Sequence, residues 1–248
     1  MKSSNRGHDV GRVIVGVLCL AAVSCVQAIP IILNGGFESG FLGWTRNDQL
    51  GSEGSFALQS GTTSPVSGTT VPAPPEGTLA AMTDANGPGT HVMYQDFLVP
   101  VGGATLSFAL FVGNRDTDFF VAPASVGLDF STPALNQQAR VDIIRSAADP
   151  FSVAASDVLL NLFQTSPGSP LVSGYSVLTR DVSAFLAAHT GEMLRLRFAE
   201  VDNVAPFQLG VDNVRFAAIP EPTSILLLSL ALVSLLAARS ARKGLARR

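Results

Sequence analysis

Between residues 29 and 219 the side chains able to do chemistry are seventeen carboxylates, eight arginines and two histidines, with no cysteine and no lysine. Without a thiol, a cysteine nucleophile and a thiolate zinc site are excluded. His91 and His189 stand in no recognised arrangement: the chain has no Gly-x-Ser-x-Gly elbow, no His-Glu-x-x-His and no phosphate loop. So many acids always allow a carboxylate pair in space, yet nothing in their spacing selects one for glycosidic acid–base work. The expectation is a protein that is not an enzyme, with a secreted glycan-active hydrolase as the alternative.

Asp212 is the polar residue whose position asks most of its surroundings. Counted by twos it shares a face with Val214 and Phe216, which predicts that it points at the core. A carboxylate turned inward must be paired, hydrogen-bonded or on a metal. The alternatives are a bulge at Asp212-Asn213 that turns it outward, or a capping hydrogen bond. Asn114-Arg115-Asp116-Thr117-Asp118 has oxygen side chains at alternate positions, but Phe119 and Ser125 stand where a calcium loop needs Gly and Glu, so a solvated turn is expected. Trp44, Tyr94 and Tyr175 are the only Trp and Tyr residues, available either as sugar platforms or as core.

The elements that must position these groups read as strands. In Met193–Phe198, Leu194, Leu196 and Phe198 alternate with Arg195 and Arg197, the pattern of a strand with one dry and one wet face. Similar runs occur at Val92–Val99, Ala104–Phe111, Ser125–Phe130, Ala139–Ile144, Val158–Gln164, Tyr175–Thr179 and Leu209–Phe216. Asp181 can cap one short helix over Val182–His189, with Gly191 just beyond it. Residues 59–78 are rich in Ser, Thr, Gly and Pro and predict one long surface loop. Many short strands punctuated by turns predict an all-β fold, a jelly-roll-like β-sandwich with one short helix. The 191 residues from 29 to 219 suffice for one domain with its own core. Their formal charge is −9, which offers no footprint for nucleic acid and suits cations instead.

Both ends of this domain carry local resemblances. Asn34-Gly35-Gly36-Phe37-Glu38 with Gly43-Trp44 resembles the opening of galactose-binding-like jelly rolls, the fold of many carbohydrate-binding modules. Asp181–Phe185, Leu194–Phe198 and Gly210–Val214 are similar to that superfamily's last short helix and final two strands. The resemblance implies that Glu38 and Asp212 are candidate ligands of a structural calcium, completed by backbone carbonyls. It also implies extracellular polysaccharide as a candidate partner.

The two termini predict export. Lys2, Arg6 and Arg12 precede the uncharged run Val13–Val23, and Val26 and Ala28 offer small residues before a cut. Residues 1–28 thus read as a signal peptide for signal peptidase, with an uncleaved anchor, or a lipoprotein lipidated at Cys25, as the alternatives. At the other end Pro220-Glu221-Pro222 is followed by an apolar segment, 225–238, and then by Arg239, Arg242, Lys243, Arg247 and Arg248. Fourteen helical residues reach about 21 Å against a hydrocarbon core of about 30 Å, so a transmembrane helix here requires bilayer thinning and snorkelling arginines. The basic end places the C-terminus inside and the domain outside. Residues 220–248 resemble the PEP-CTERM sorting signal of Gram-negative bacteria. That resemblance implies processing by an exosortase, with the inner membrane a transient stop before the cell surface or extracellular matrix. A permanent tail anchor is the alternative.

Overall fold

The computed structural model describes residues 31–218 and, beyond them, 229–230 and 232–234. The signal peptide expected over 1–28, Pro220, Glu221, Pro222 and the basic cluster lie outside the described residues. Of the expected transmembrane segment only 229–230 and 232–234 are described, and they are helical. Among the described residues no helix is long and apolar enough to cross a membrane.

Ten strands and one helix follow in order: β1 (Thr45–Asp48), β2 (Ser55–Ser60), β3 (Leu79–Asp84), β4 (Gly89–Leu98), β5 (Ala104–Asn114), β6 (Gln137–Arg145), β7 (Val158–Gln164), β8 (Ser176–Asp181), α1 (Ser183–Ala188), β9 (Met193–Asp202) and β10 (Phe207–Ala218). They form two five-stranded antiparallel sheets, β1-β4-β9-β6-β7 and β2-β3-β10-β5-β8. Most connections pass from one sheet to the other, so the chain closes a jelly-roll-like sandwich around a single dry layer. Met93, Phe97, Val141, Leu196 and Phe198 fill that layer from the first sheet, and Phe56, Leu106, Phe108, Leu209 and Val211 from the second.

Both outer faces are also covered. Leu128, Phe130, Phe151 and Val153 pack on Val92, Ala199 and Val201 of the first sheet. Val71 packs with Met82, Phe111 and Tyr175 on the second. Several sequence expectations change as a result. Ser125–Phe130 forms turns rather than a strand, and serves as one of these covers. The long loop begins at Gly61, because Gln59 and Ser60 complete β2. It is held by Asp84, whose carboxylate accepts the Val66 and Ser67 N–H groups at 2.7 Å each, with Gln208 Nε2 at 2.9 Å. Burial opposes the Asp84 charge, but the bonds from Gln208, Ser67 and Val66 keep its pKa below the ordinary value. The helix is shorter than expected, Ser183–Ala188, and Val182 occupies the N-cap. Asp181 sits one residue earlier and accepts the Ser183 N–H at 2.9 Å.

Candidate functional site

The opening motif works as a plug. Asn34, at φ +50°, accepts the Ser39 N–H through Oδ1 at 3.1 Å and donates through Nδ2 to the carbonyls of Gly40 and Leu42. Its own carbonyl takes the Trp44 indole N–H at 3.1 Å. Phe37 and Trp44 lie 5.4 Å apart between ring centroids, and Trp44 lies 5.9 Å from Phe198. Trp44 is therefore core, not a sugar platform. Tyr175 is half-buried and donates to Gln59 Oε1 at 2.8 Å. Tyr94 is half-buried beneath Arg195, whose guanidinium carbon stands 3.9 Å from its ring centre.

A β-bulge decides where Asp212 points. The β10–β5 register shifts between Asp212 and Arg215, and Asn213 adopts φ +52°. Val211 stays in the core before the bulge and Val214 after it, so Asp212 faces away from the core with Gln208 and Gly210. The expectation of a core-facing carboxylate is corrected, and the alternative of a bulge at Asp212-Asn213 is what the strand adopts: the extra residue resets the alternation. Asp212 is nonetheless fully buried, accepting the Glu76 N–H at 3.1 Å and the Asn213 N–H at 2.6 Å. Burial raises its pKa to about 6, and the charges of Glu76 and Glu38 push in the same direction. Glu38 accepts the Thr78 and Leu79 N–H groups at 2.8 Å each and the Thr78 hydroxyl at 2.9 Å. Those bonds, Leu79 first, lower its pKa. Glu38 and Asp212 thus grip the same stretch, residues 76–79. Oxygen-only donors suit a hard cation such as calcium, and the charges that act on the buried Asp212, those of Glu76 and Glu38, are both negative. Among the described residues no three His, Cys, Asp or Glu side chains are already grouped to hold a metal.

Arg195 and Arg197, expected on a wet face, are buried instead. Arg197 Nη1 donates to the Pro150 carbonyl at 2.7 Å and the Ser152 carbonyl at 2.6 Å, and Nη2 to Asp142. Arg140 binds the same carboxylate through Nε and Nη2 at 2.7 and 2.8 Å. Burial disfavours the Asp142 charge, but the Arg140 hydrogen bonds and the two guanidinium charges outweigh it and lower its pKa. This network fixes the 149–153 segment on the first sheet.

Together with residues 124–129 that segment walls a cleft of about 410 Å³ lined by Gln49, Ser125, Asp129, Phe151, Ser152 and Asp157 among others. Gln49 Nε2 donates to Asp129 Oδ1 at 2.5 Å. Bonds from Ser131 and Gln49 lower the Asp129 pKa, so this carboxylate accepts hydrogen bonds and is a poor proton donor. Two further carboxyls with raised pKa values lie elsewhere, between the sheets. Burial raises Glu200 well above its ordinary pKa, with Asp202 adding to it, and raises Asp202 to about 7. His91, the cross-strand partner of Glu200, binds Asp48 Oδ1 through Nδ1 at 2.7 Å. His189 stands apart, half-buried against Phe185 and 3.1 Å from Glu192. The Asn114–Asp118 segment is a turn, as expected, with Asn114 Oδ1 accepting the Asp116 N–H at 3.0 Å.

The last strand runs to Ala218, and there a second signature begins. Residues 218–243 match the PEP-CTERM protein-sorting motif. The match includes Pro220, Glu221, Pro222, Arg239, Arg242 and Lys243, while Arg247 and Arg248 follow it. No curated protein sequence matches this PEP-CTERM-bearing chain. Among solved structures, the carbohydrate-binding module TmCBM61 in complex with β-1,4-galactotriose aligns over 77% of this chain and 100% of its own, at 11% identity and a TM-score of 0.45. The K3 cleaved adhesin domain of Lys-gingipain from Porphyromonas gingivalis W83 aligns over 75% and 96%, at 15% identity and a TM-score of 0.45. A Stig cyclase from Fischerella sp. TAU aligns over 78% and 98%, at 16% identity and a TM-score of 0.41. A likeness of fold does not fix a function.

Proposed function

We propose that this chain is exported, held by its tail with the domain outside, and processed by an exosortase near Pro220-Glu221-Pro222. The product is a cell-surface or extracellular-matrix protein with a non-catalytic role, binding envelope or exopolysaccharide glycans or serving as matrix structure. The sorting motif at 218–243 carries this reading, because it starts at the last residue of β10. For glycan binding, the supporting feature is the 410 Å³ cleft, which sets hydroxyl and carboxylate acceptors beside Phe151. Asp129, Asp149 and Asp157 at that cleft favour neutral sugars over uronates.

The test is retention of the mature protein, recovered from its host, on arrayed polysaccharides. Retention on a neutral polysaccharide, reduced about tenfold or more by Asp157→Ala with Asp129→Ala, is the expected result. Retention on none would leave the purely structural role, and cleavage of any would overturn the non-catalytic reading. The mass of the same material tests sorting: it should end near Pro220, and a species retaining 225–248 means a permanent anchor.

We also propose a structural calcium on Glu38 and Asp212. Millimolar calcium should raise the melting temperature and give heat in a titration, both abolished by Asp212→Asn. No heat and no shift would end the idea.

A further inference from the structure

We propose that the pole of the sandwich from which the tail emerges is a docking surface for the lipid bilayer, seated on neutral headgroups while the tail is inserted. This rests on the membrane insertion of the tail proposed above. Three large apolar side chains project from that pole. Leu98, at the end of β4, is 60% exposed; its cross-strand partner Met193, at the start of β9, is 51% exposed; and Val101, in the β4–β5 turn, is 89% exposed. Exposed apolar groups gathered at one site mark an interaction surface.

Chain length selects the occupant. The turn carrying Val101 leads into Ala104, which pairs with Ala218, the last residue of β10. β10 therefore ends beside the turn that carries Val101. Seven residue steps separate Ala218 from Ile225, where the apolar run starts, at most about 25 Å of extended chain. An inserted tail keeps this pole within that reach of the bilayer. The opposite pole, with the turns at Leu50 and Val204, stands about 40 Å further off along the twelve residues of β10.

Charge decides between apolar and electrostatic attachment. The exposed ionic groups around the pole, Arg145, Arg180 and Arg215 against Asp96, Asp181 and Glu192, balance in sign, and the domain as a whole is acidic. Attraction to anionic headgroups is therefore absent from the account, and shallow insertion of Leu98, Val101 and Met193 at the headgroup–acyl boundary provides the contact.

The experiment uses residues 29–248, the exported chain with its tail still attached and free of cysteine, in phosphatidylcholine vesicles. An environment-sensitive fluorophore is placed at Val101→Cys or, for comparison, at Leu50→Cys. Brominated lipid should quench the label at 101 at least fivefold more than at 50, and Leu98→Asp with Met193→Asp should remove most of the difference. Chain that floats with the vesicles but shows equal quenching at both sites overturns the docking and leaves tail insertion standing. Chain that does not float overturns both. Shielding of position 101 from aqueous iodide without lipid quenching would assign the pole to a protein partner and overturn the proposal. An unchanged urea midpoint in the Asp variant ensures that its effect reports the surface and not the fold.

Discussion

Arg197 shows how one side chain can serve fold and site together. Its guanidinium is fully buried and holds the Asp142 carboxylate and the carbonyls of Pro150 and Ser152, on either side of Phe151 in the segment that walls the 410 Å³ cleft. Removing one member of a buried ionic set costs more than the set contributes, because the partner is left charged and dry. Arg140 remains on Asp142, so the loss is shared. Arg197→Met is expected to destabilise the domain by about 3 kcal/mol and to weaken glycan retention through the loosened 149–153 wall. Urea denaturation checks the first effect; a loss under about 1 kcal/mol would show that Arg140 alone satisfies Asp142. Arg197→Lys should also lose stability, since a single ammonium cannot reach the carboxylate and both carbonyls in the same fork.

At the scale of elements, the bulge in β10 is the device that sets the candidate calcium ligand. Gly35 lets the opening segment approach it: a Cβ there would stand 1.8 Å from the Val214 carbonyl oxygen, while the Val214 N–H donates to the Gly35 carbonyl at 2.9 Å. Asn213 supplies the left-handed backbone that the bulge needs, a conformation that Asn tolerates and β-branched residues resist. Asn213→Gly should therefore be nearly neutral, and Asn213→Val should cost about 1–2 kcal/mol. Equal midpoints for the two variants would mean that the bulge relaxes into regular pairing. The sequence carries a mark of this bulge: the apolar positions of Leu209–Phe216 change parity, from Leu209 and Val211 to Val214 and Phe216, and a bulge at Asp212-Asn213 was one of the alternatives it offered. Counting by twos back from Phe216 and Val214 misses that change and turns Asp212 inward. Val158–Gln164 was legible to the residue because its ends are turns. Thr45–Asp48 was not, being polar and at a sheet edge, and Leu79–Asp84 was not, because covers on both faces erase its alternation. Arg195 and Arg197 read as a wet face for the same reason: a strand's pattern cannot announce that a distant segment will lie across it.

For the molecule as a whole, the unusual quantity is the charge carried inside it. Glu200 and Asp202 face the sandwich interior with His91, Asp48 and Thr83 around them, and Glu200 Oε1 and His91 Nε2 have no hydrogen-bond partner. An unfolded carboxyl ionises near pH 4, whereas Asp212 in the fold titrates at about 6, Asp202 at about 7 and Glu200 well above its ordinary value. Between pH 4 and 7 the folded chain therefore holds more protons than the unfolded one, and stability falls as pH rises. The raised Asp202 pKa alone corresponds to about 4 kcal/mol, fully present below pH 4 and lost above pH 7. Asp84 and Asp142, whose pKa values are lowered, act oppositely: their contribution is complete above about pH 4 and disappears in stronger acid. The two trends place maximum stability at mildly acidic pH, about 4 to 5.5, below the range usual for globular domains. The urea midpoint should accordingly be higher at pH 5 than at pH 8, and a midpoint that is equal or higher at pH 8 would contradict charge burial in the row. Asp202→Asn supplies the control. Its amide oxygen can still accept the Gly89 N–H that now donates to Asp202 Oδ1 at 2.7 Å, so the strand contact survives while the titrating proton is gone, and the fall between pH 6 and 8 should flatten. An unchanged slope in that variant would move the pH dependence from Asp202 to Glu200.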